Sequence, residues 1–178
     1  MVLPFTPHEN KASDDPWIVF DYELDMYFQT RNLLRSLNRK RPGSVIFGWL
    51  RNAIVESMVL HTRIVTDILI SNGRDNDDIV LKDLLPEWCN SEEGKALVSK
   101  LKSAYGKRTE EDSPRWAMNK MLAHATKQRR DRFNYNEPLR KIEPLIIAIL
   151  FSMEESANRP LLSHILAVER SKLTNLGG

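Results

Sequence analysis

The sequence predicts an all-α protein, an antiparallel helical bundle with an additional C-terminal helix. Apolar residues recur at spacings of three and four, as on one side of a helix, and not at the spacing of two that is typical of strands. Glycine is scarce, with only 7 glycines in 178 residues. The length is that of one domain, residues 1–178, in which residues 1–13, with Pro4 and Pro7, are predicted to be a flexible N-terminal arm.

The first predicted helix runs from about Asp15 to Leu37. Pro16 suits its first turn, because the N–H that proline lacks would be unsatisfied there anyway. The run from Asn38 to Gly43 ends the helix. It contains cations, which are favourable near a helix C-terminus, and then proline and glycine, which do not continue a helix. The apolar side of this helix consists of Phe20, Leu24, Tyr27, Phe28 and Leu34.

A second, longer helix is predicted from Ser44, which can cap it, to about Ile70. Apolar residues follow helical spacing along its whole length, which predicts one apolar stripe. The polar run from Ser71 to Asp78 ends the helix and opens a loop to about Asn90, with a short turn between Leu81 and Leu85. The stripe consists of Ile46, Leu50, Ala53, Ser57, His61, Ile64 and Ile68, with Trp49, Ile54, Met58 and Val65 beside it.

Two shorter helices are predicted after the loop. Ser91 and the glutamates after it begin the third helix, and Tyr105 with the glycine after it ends this helix. Asp112 or Ser113, followed by Pro114, begins the fourth helix, because a polar cap before proline is typical of a helix start. The apolar residues of the fourth helix are Trp116, Met118, Met121, Leu122 and Ala125.

The fifth predicted helix begins at Asn136 and is expected to be kinked or restarted at Pro144. Its segment from Leu145 to Met153 is apolar all round, which is typical of a central, buried helix. Asn158 and Pro160 introduce a last helix. The apolar residues of that helix are Leu161, Leu162, Ile165 and Val168.

Composition and charge indicate a soluble, cytoplasmic protein. Lysine and arginine exceed aspartate and glutamate by 26 to 24. This excess is too small to indicate nucleic-acid binding by itself, because nucleic-acid-binding proteins carry a clustered excess of positive charge. The single cysteine, Cys89, excludes an internal disulfide and agrees with a reducing cytoplasm. The first residues lack the pattern of a secretory signal. The longest apolar run, Leu145 to Phe151, is too short to span a membrane.

The segment from Asn119 to Arg129 carries most of the candidate chemistry. It places an amide, cations, a hydroxyl and a histidine on one predicted helix, with Asn119 and Lys120 about one turn before His124. An imidazole titrates near neutrality, so beside an amide and cations it can move protons next to a bound phosphate. The same residues can also form a packed polar patch without chemistry. Both interpretations stay open.

Two further groups of residues have a structural and a functional interpretation. His61 is either a core histidine held by one hydrogen bond or a substrate-binding residue, and Arg63 either binds substrate or pairs with Asp67, four residues later. The run from Lys127 to Arg132 is either the solvated end of a helix or a phosphate clamp after His124. The sequence has no metal-ligand spacing and no glycine-rich phosphate loop, so no cofactor is predicted.

Three segments together resemble a known group of proteins. They are Leu60-His-Thr-Arg63, the acidic loop Asp75–Asp78, and Asn119-Lys-Met-Leu-Ala-His124 with Arg129, and they span about half of the chain. They resemble uncharacterised bacterial helical proteins that are similar to the HEPN superfamily, which includes toxins, phage-abortive-infection proteins and CRISPR-associated ribonucleases. Members of this family are helical bundles that commonly dimerise to form a metal-independent RNA-cleaving cleft. The resemblance implies a homodimer, RNA as a partner, and an antitoxin or defence-system protein as another.

The resemblance also implies a role for each residue of the candidate site. His124 would be the general acid or base, Asn119 would orient the phosphate, and Lys120 and Arg129 would offset its charge. Met118 occupies the position of the family's arginine, so this sequence departs from the pattern there. The alternative is a non-catalytic helical interaction or oligomerisation module with a degenerate site, and a third class is a bundle that binds a small ligand.

Overall fold

The chain forms seven α-helices within the residues that its computed structural model describes, which are 15–40, 45–71, 73, 78–122 and 136–157. These ranges contain no strand, so the predicted all-α class is confirmed. The predicted N-terminal arm and the predicted last helix lie outside the described residues. The helices are α1 (Pro16–Lys40), α2 (Val45–Ile70), α3 (Leu81–Leu84), α4 (Pro86–Asn90), α5 (Glu92–Tyr105), α6 (Pro114–Leu122) and α7 (Asn136–Ala157).

Helices α1 and α2 pack against each other in antiparallel directions. Glu23 of α1 contacts His61 of α2, whereas Asn38, near the end of α1, accepts a hydrogen bond of 3.0 Å from the Nε of Arg51, near the start of α2. All five residues of the predicted apolar side of α1 are buried. Each such side chain stabilises the fold by about 1.5–3 kcal/mol through its burial.

Helix α7 lies in the centre of the described core, as its apolar sequence predicts. Ile142, Ile146, Ile149, Leu150 and Met153 are each 0% exposed. The sequence predicts a kink or a restart at Pro144. The helix continues through this residue, so the restart is wrong, while the kink stays a prediction. Proline removes one backbone donor from the helix, and the Pro144 ring is exposed. The helix packs against α5 and α6.

The region between α2 and α5 is more helical than predicted. The sequence indicates a polar loop with one short turn, yet this region contains α3 and α4, which have 4 and 5 residues. Trp88 of α4 is buried, and its Nε1 donates a hydrogen bond of 2.8 Å to the Oγ of Ser152 in α7. The Ser152 hydroxyl in turn donates to Glu93 of α5 at 2.8 Å. Helices this short have too few turns to show a hydrophobic period.

The predicted starts of α5 and α6 are confirmed by their side-chain caps. The Oγ of Ser91 accepts a hydrogen bond of 3.0 Å from the backbone N–H of Gly94. The Oγ of Ser113 accepts one of 3.1 Å from the N–H of Trp116. Gly106 ends α5 with a φ of 74°, a conformation that side chains other than glycine rarely adopt. An added Cβ at Gly106 would lie 2.6 Å from the Cβ of Ser113.

The apolar stripe predicted on α2 is buried in only part of the helix. Residues 54–70 of α2 include ten buried side chains, whereas residues 45–53 are all exposed. The prediction that the stripe is buried is therefore wrong for Ile46, Leu50 and Ala53, because no described element covers them. The exposed side chains form what we term the apolar strip, which consists of Val45, Ile46, Phe47, Trp49 and Leu50.

No helix within the described ranges is both long and apolar enough to cross a membrane.

Candidate functional site

A cleft of about 1690 Å³ lies between the C-terminal half of α2, the end of α5 and the segment that joins α5 to α6. One side of α2 forms its floor, because residues at spacings of three and four face the same way. These floor residues include Leu60, Arg63, Ile64 and Asp67. The opposite wall includes Ser99, Lys102 and Ser103 of α5.

Two arginines share one carboxylate in this cleft. The Nε of Arg63 lies 3.5 Å from one oxygen of Asp67, which confirms the predicted pair four residues apart. An Nη of Arg115, from α6, lies 3.7 Å from the other oxygen. All three side chains are about one third to two fifths exposed. Such long, partly solvated pairs stabilise a fold little, so their main effect is to hold the guanidinium groups in the cleft.

Tyr105 lies against this charged group. The Cζ of Arg115 is 5.6 Å from the centroid of the Tyr105 ring, a cation–π contact. The Tyr105 hydroxyl is buried and has no hydrogen-bond partner among the described residues. Burial raises the pKa of this phenol above its usual value, and the charge of Asp67 raises it further, while Arg115 and Arg63 lower it. The phenol is therefore neutral at physiological pH.

Two lysines add positive charge to the cleft. Lys102 of α5 and Lys107, which follows α5, both line it, and neither ammonium group forms an ion pair within the described ranges. The wall that contains Lys107 is held in place by hydrogen bonds. The backbone N–H of Lys107 donates to the Glu110 carboxylate at 3.1 Å, and the Lys107 carbonyl accepts from the Ser113 hydroxyl at 2.9 Å.

Asn119 and Lys120, two of the predicted catalytic residues, lie on α6 and are half-buried. Asn119 is one turn after Arg115, so the two side chains leave the same side of the helix. Lys120 lies over the ring of Trp116, with its Nζ 5.5 Å from the ring centroid. The predicted catalytic residue His124 and the predicted substrate-binding residue Arg129 lie outside the described residues.

His61 and Arg63, both predicted to bind substrate, have different surroundings. The Nδ1 of His61 lies 2.6 Å from a carboxylate oxygen of Glu23, and both residues are buried between α1 and α2. The ring of Tyr22 packs edge-on against His61, at 6.2 Å between centroids. Arg63 lines the cleft, whereas His61 is not among the residues that line it.

The cleft contains charged residues that sequence reasoning did not select. Lys102, Lys107 and Arg115 belong to different parts of the chain, and no spacing in the sequence connects them with Arg63. Their only linear signal is that each is a cation near the end or start of a predicted helix, which is common on solvated surfaces. Tyr105 was predicted only as the end of a helix.

Within the described residues, no three histidine, cysteine, aspartate or glutamate side chains are close enough together to hold a metal ion. No family model, no curated protein and no solved structure matches the chain.

Proposed function

We propose that this protein is a HEPN-like homodimer that binds RNA and cleaves it without a metal ion. The observation that carries the proposal is the apolar strip of α2. A cleft of the family's kind is built from two copies of the chain, and the strip offers a surface that a second copy would cover. Val45, Ile46 and Trp49 are 71%, 73% and 71% exposed. Large apolar patches on protein surfaces normally mark an interface.

The size of the strip suits an interface between two copies. Its five side chains expose on the order of 500 Å² of apolar surface, if aromatic residues present up to about 250 Å² each and aliphatic residues somewhat less. A standard interface buries about 800 Å² per partner, of which rather more than half is apolar. Two copies related by a twofold axis bring the same strip together, so each strip serves as the partner of the other.

The proposed chemistry uses the candidate site on α6 and after it. His124 acts as general acid or base on the ribose and leaving oxygens, Asn119 orients the phosphate, and Lys120 with Arg129 offsets the charge. Met118, at the family's arginine position, is buried and apolar. Support for the proposal comes from Arg115, whose guanidinium leaves α6 on the same side as Asn119 and can bind a phosphate with two hydrogen bonds.

A second candidate function is a non-catalytic helical module that binds an antitoxin or defence-system protein. The observation that favours this function is the surroundings of Lys120 and Met118. The Lys120 ammonium lies over Trp116, and the Met118 side chain is 2% exposed. In this case the apolar strip would bind a different protein, and the residues of α6 would serve packing.

The oligomeric state tests the part of the proposal that depends on the strip. We expect light scattering to give the mass of a dimer for the wild type and of a monomer for Trp49→Glu. Ile18→Glu is the matched control, because Ile18 of α1 is also exposed, at 53%, but lies outside the strip. A wild-type protein that remains monomeric at micromolar concentrations would contradict the composite site.

RNA cleavage in excess chelator separates the two candidate functions. We expect the wild type to cleave a structured RNA under these conditions, and His124→Ala to lose most of the activity. Trp49→Glu should lose activity together with the dimer, while Ile18→Glu retains both. A dimer that cleaves no RNA under any condition would support the non-catalytic module instead.

A further inference from the structure

We infer that the cleft is a docking groove for the N-terminal segment of the same chain, residues 1–14, with Leu3 and Phe5 against its apolar residues. This occupant goes beyond the proposed function, because it requires neither RNA cleavage nor a dimer. Residues 1–14 lie outside the described residues. Support comes from the lining of the cleft, from the place where α1 begins and from the sequence of the segment.

The cleft offers apolar surface to a ligand. Val19 of α1 and Leu60 of α2 line it and are 40% and 41% exposed. Ile64, one turn after Leu60, also lines it and is partly buried. Removing apolar surface of this kind from water is favourable. A ligand that carries apolar side chains therefore fits the cleft better than a polyanion does.

The polar groups of the cleft suit a peptide. Four cationic and three acidic side chains line it, so its charges are nearly balanced. The guanidinium groups of Arg63 and Arg115 both lie beside Asp67. The opposite wall adds the hydroxyls of Ser99 and Ser103, which are exposed on α5. A hydroxyl both donates and accepts hydrogen bonds, so this wall can bind the N–H and carbonyl groups of a peptide backbone.

The N-terminal segment joins α1 at the edge of this cleft. The described chain begins at Asp15, one turn before Val19, which lines the cleft. Phe5 precedes Asp15 by ten residues, and a chain of this length can span up to roughly 33 Å. The cleft extends along α2 from Leu60 to Ser71, a length of about 16 Å at 1.5 Å per residue. The segment is therefore long enough to fold back along the whole cleft.

The sequence of the segment also suits this groove. Leu3 and Phe5 lie in its apolar part, whereas residues 8–14 carry one lysine and two acidic residues. Pro4 and Pro7 favour extended backbone in themselves and in the residues before them, so less conformational freedom is lost on binding. An attached segment has an effective concentration on the order of 1 mM, so a Kd of about 0.1 mM for the free segment would fill the cleft to about 90%.

The rate of thiol labelling in the full chain tests the inference. Cys89→Ser removes the chain's one cysteine, and Leu60→Cys then places a thiol in the cleft. We expect a soluble thiol reagent to label this thiol about tenfold faster once Leu3→Asp and Phe5→Asp are added, because a cleft that is about 90% occupied becomes free. Leu33→Cys is the matched control, since Leu33 is also an exposed leucine, at 48%, but does not line the cleft. Its labelling rate should not respond to the two substitutions.

A second measurement places the segment directly. Thr6→Cys leaves Leu3 and Phe5 in place, and with Leu60→Cys in the Cys89→Ser background it should form a disulfide within one chain under mild oxidation. A disulfide requires Cα atoms no more than about 7 Å apart. Thr6→Cys with Leu33→Cys should therefore form far less of it.

The outcomes decide both the site and the occupant. Labelling of Leu60→Cys that is equally fast with and without Leu3→Asp and Phe5→Asp would overturn the inference. Protection that rises with protein concentration, together with disulfide-linked dimers, would show that the segment of a second copy fills the cleft, and would overturn the assignment to the same chain. Neither measurement involves RNA, so failure of the proposed function would leave these results intact.

Discussion

The two halves of α2 have a similar apolar character but opposite surroundings. Residues 45–53 include valine, isoleucine, phenylalanine, tryptophan and leucine, and every one of these residues is exposed. Residues 54–70 include ten buried side chains, among them the polar residues His61, Thr62 and Thr66. The difference shows that apolar spacing predicts which side of a helix can be buried, while the reach of neighbouring helices decides how much of that side is buried.

The C-terminal half of α2 is enclosed because several helices meet it. Besides α1, it contacts α5 and α6, and Arg115 at the start of α6 lies beside Asp67. Its buried threonines are satisfied within the helix, since Thr62 and Thr66 donate to carbonyl groups four residues earlier at 2.7 Å. Polar residues are therefore tolerated in this half, whereas apolar residues in the other half remain in contact with solvent.

Truncation of one leucine in each half should give the largest contrast. Leu69 is 1% exposed and Leu50 is 46% exposed. We expect Leu69→Ala to lower the free energy of unfolding by about 2–5 kcal/mol, because it leaves a cavity. Leu50→Ala should change it by less than about 0.5 kcal/mol. Urea denaturation at low protein concentration measures both, and equal losses would show that the two halves do not differ in packing.

His61 provides the second test of the buried half. We expect His61→Ala to lower the free energy of unfolding by about 1–3 kcal/mol, because the buried carboxylate of Glu23 loses its partner. His124→Ala should change stability little if His124 is a functional residue. Denaturant midpoints at unchanged slope give the comparison. The double variant with Glu23→Ala and His61→Ala should lose less unfolding free energy than the sum of the two single losses. Strictly additive losses would show that the two side chains do not interact.

Tyr105→Phe should have the smallest effect near neutrality, since the hydroxyl that it removes has no described partner. The pKa of Tyr105 is raised in the folded state, so above the unfolded value of about 10 the hydroxyl ionises more readily in the unfolded chain than in the folded one. The stability of the wild type therefore falls as the pH rises from that value through the folded value. We expect equal unfolding free energies for wild type and variant at about pH 7, and a more stable variant at about pH 11. A large loss at neutral pH would reveal a partner for the hydroxyl.

Much of the fold follows from the sequence because its signals are local. The starts of α5 and α6 depend on Ser91 and Ser113, whose hydroxyls cap the next turn. The buried side of α1 follows from spacing alone. Propensity alone could not choose between the kink and the restart predicted at Pro144, because the packing of the whole helix outweighs the loss of one hydrogen bond. The exposure of the apolar strip depends equally on neighbours that the local pattern does not specify.

The candidate site was harder to predict because its contacts join distant residues. The Arg63–Asp67 pair is local and was predicted, but Arg115 reaches the same carboxylate from α6. Likewise, Glu23 and His61 are 38 residues apart in the chain, so the sequence could not choose between a core histidine and a ligand. Asn119 and Lys120 could be placed on one helix, but the cation–π contact of Lys120 depends on the side-chain conformation.

The contrasting positions of two tryptophans give the protein a built-in optical reporter. The Trp88 indole is 5% exposed and its N–H is bonded to Ser152, whereas the Trp49 indole is 71% exposed. Fluorescence from Trp88 should lie at shorter wavelength and resist a soluble quencher until the chain unfolds. Emission from Trp49 should lie at longer wavelength and respond to whatever covers α2. In variants that keep only one of the chain's four tryptophans, Trp88 emission would follow unfolding and Trp49 emission would follow any partner that covers α2.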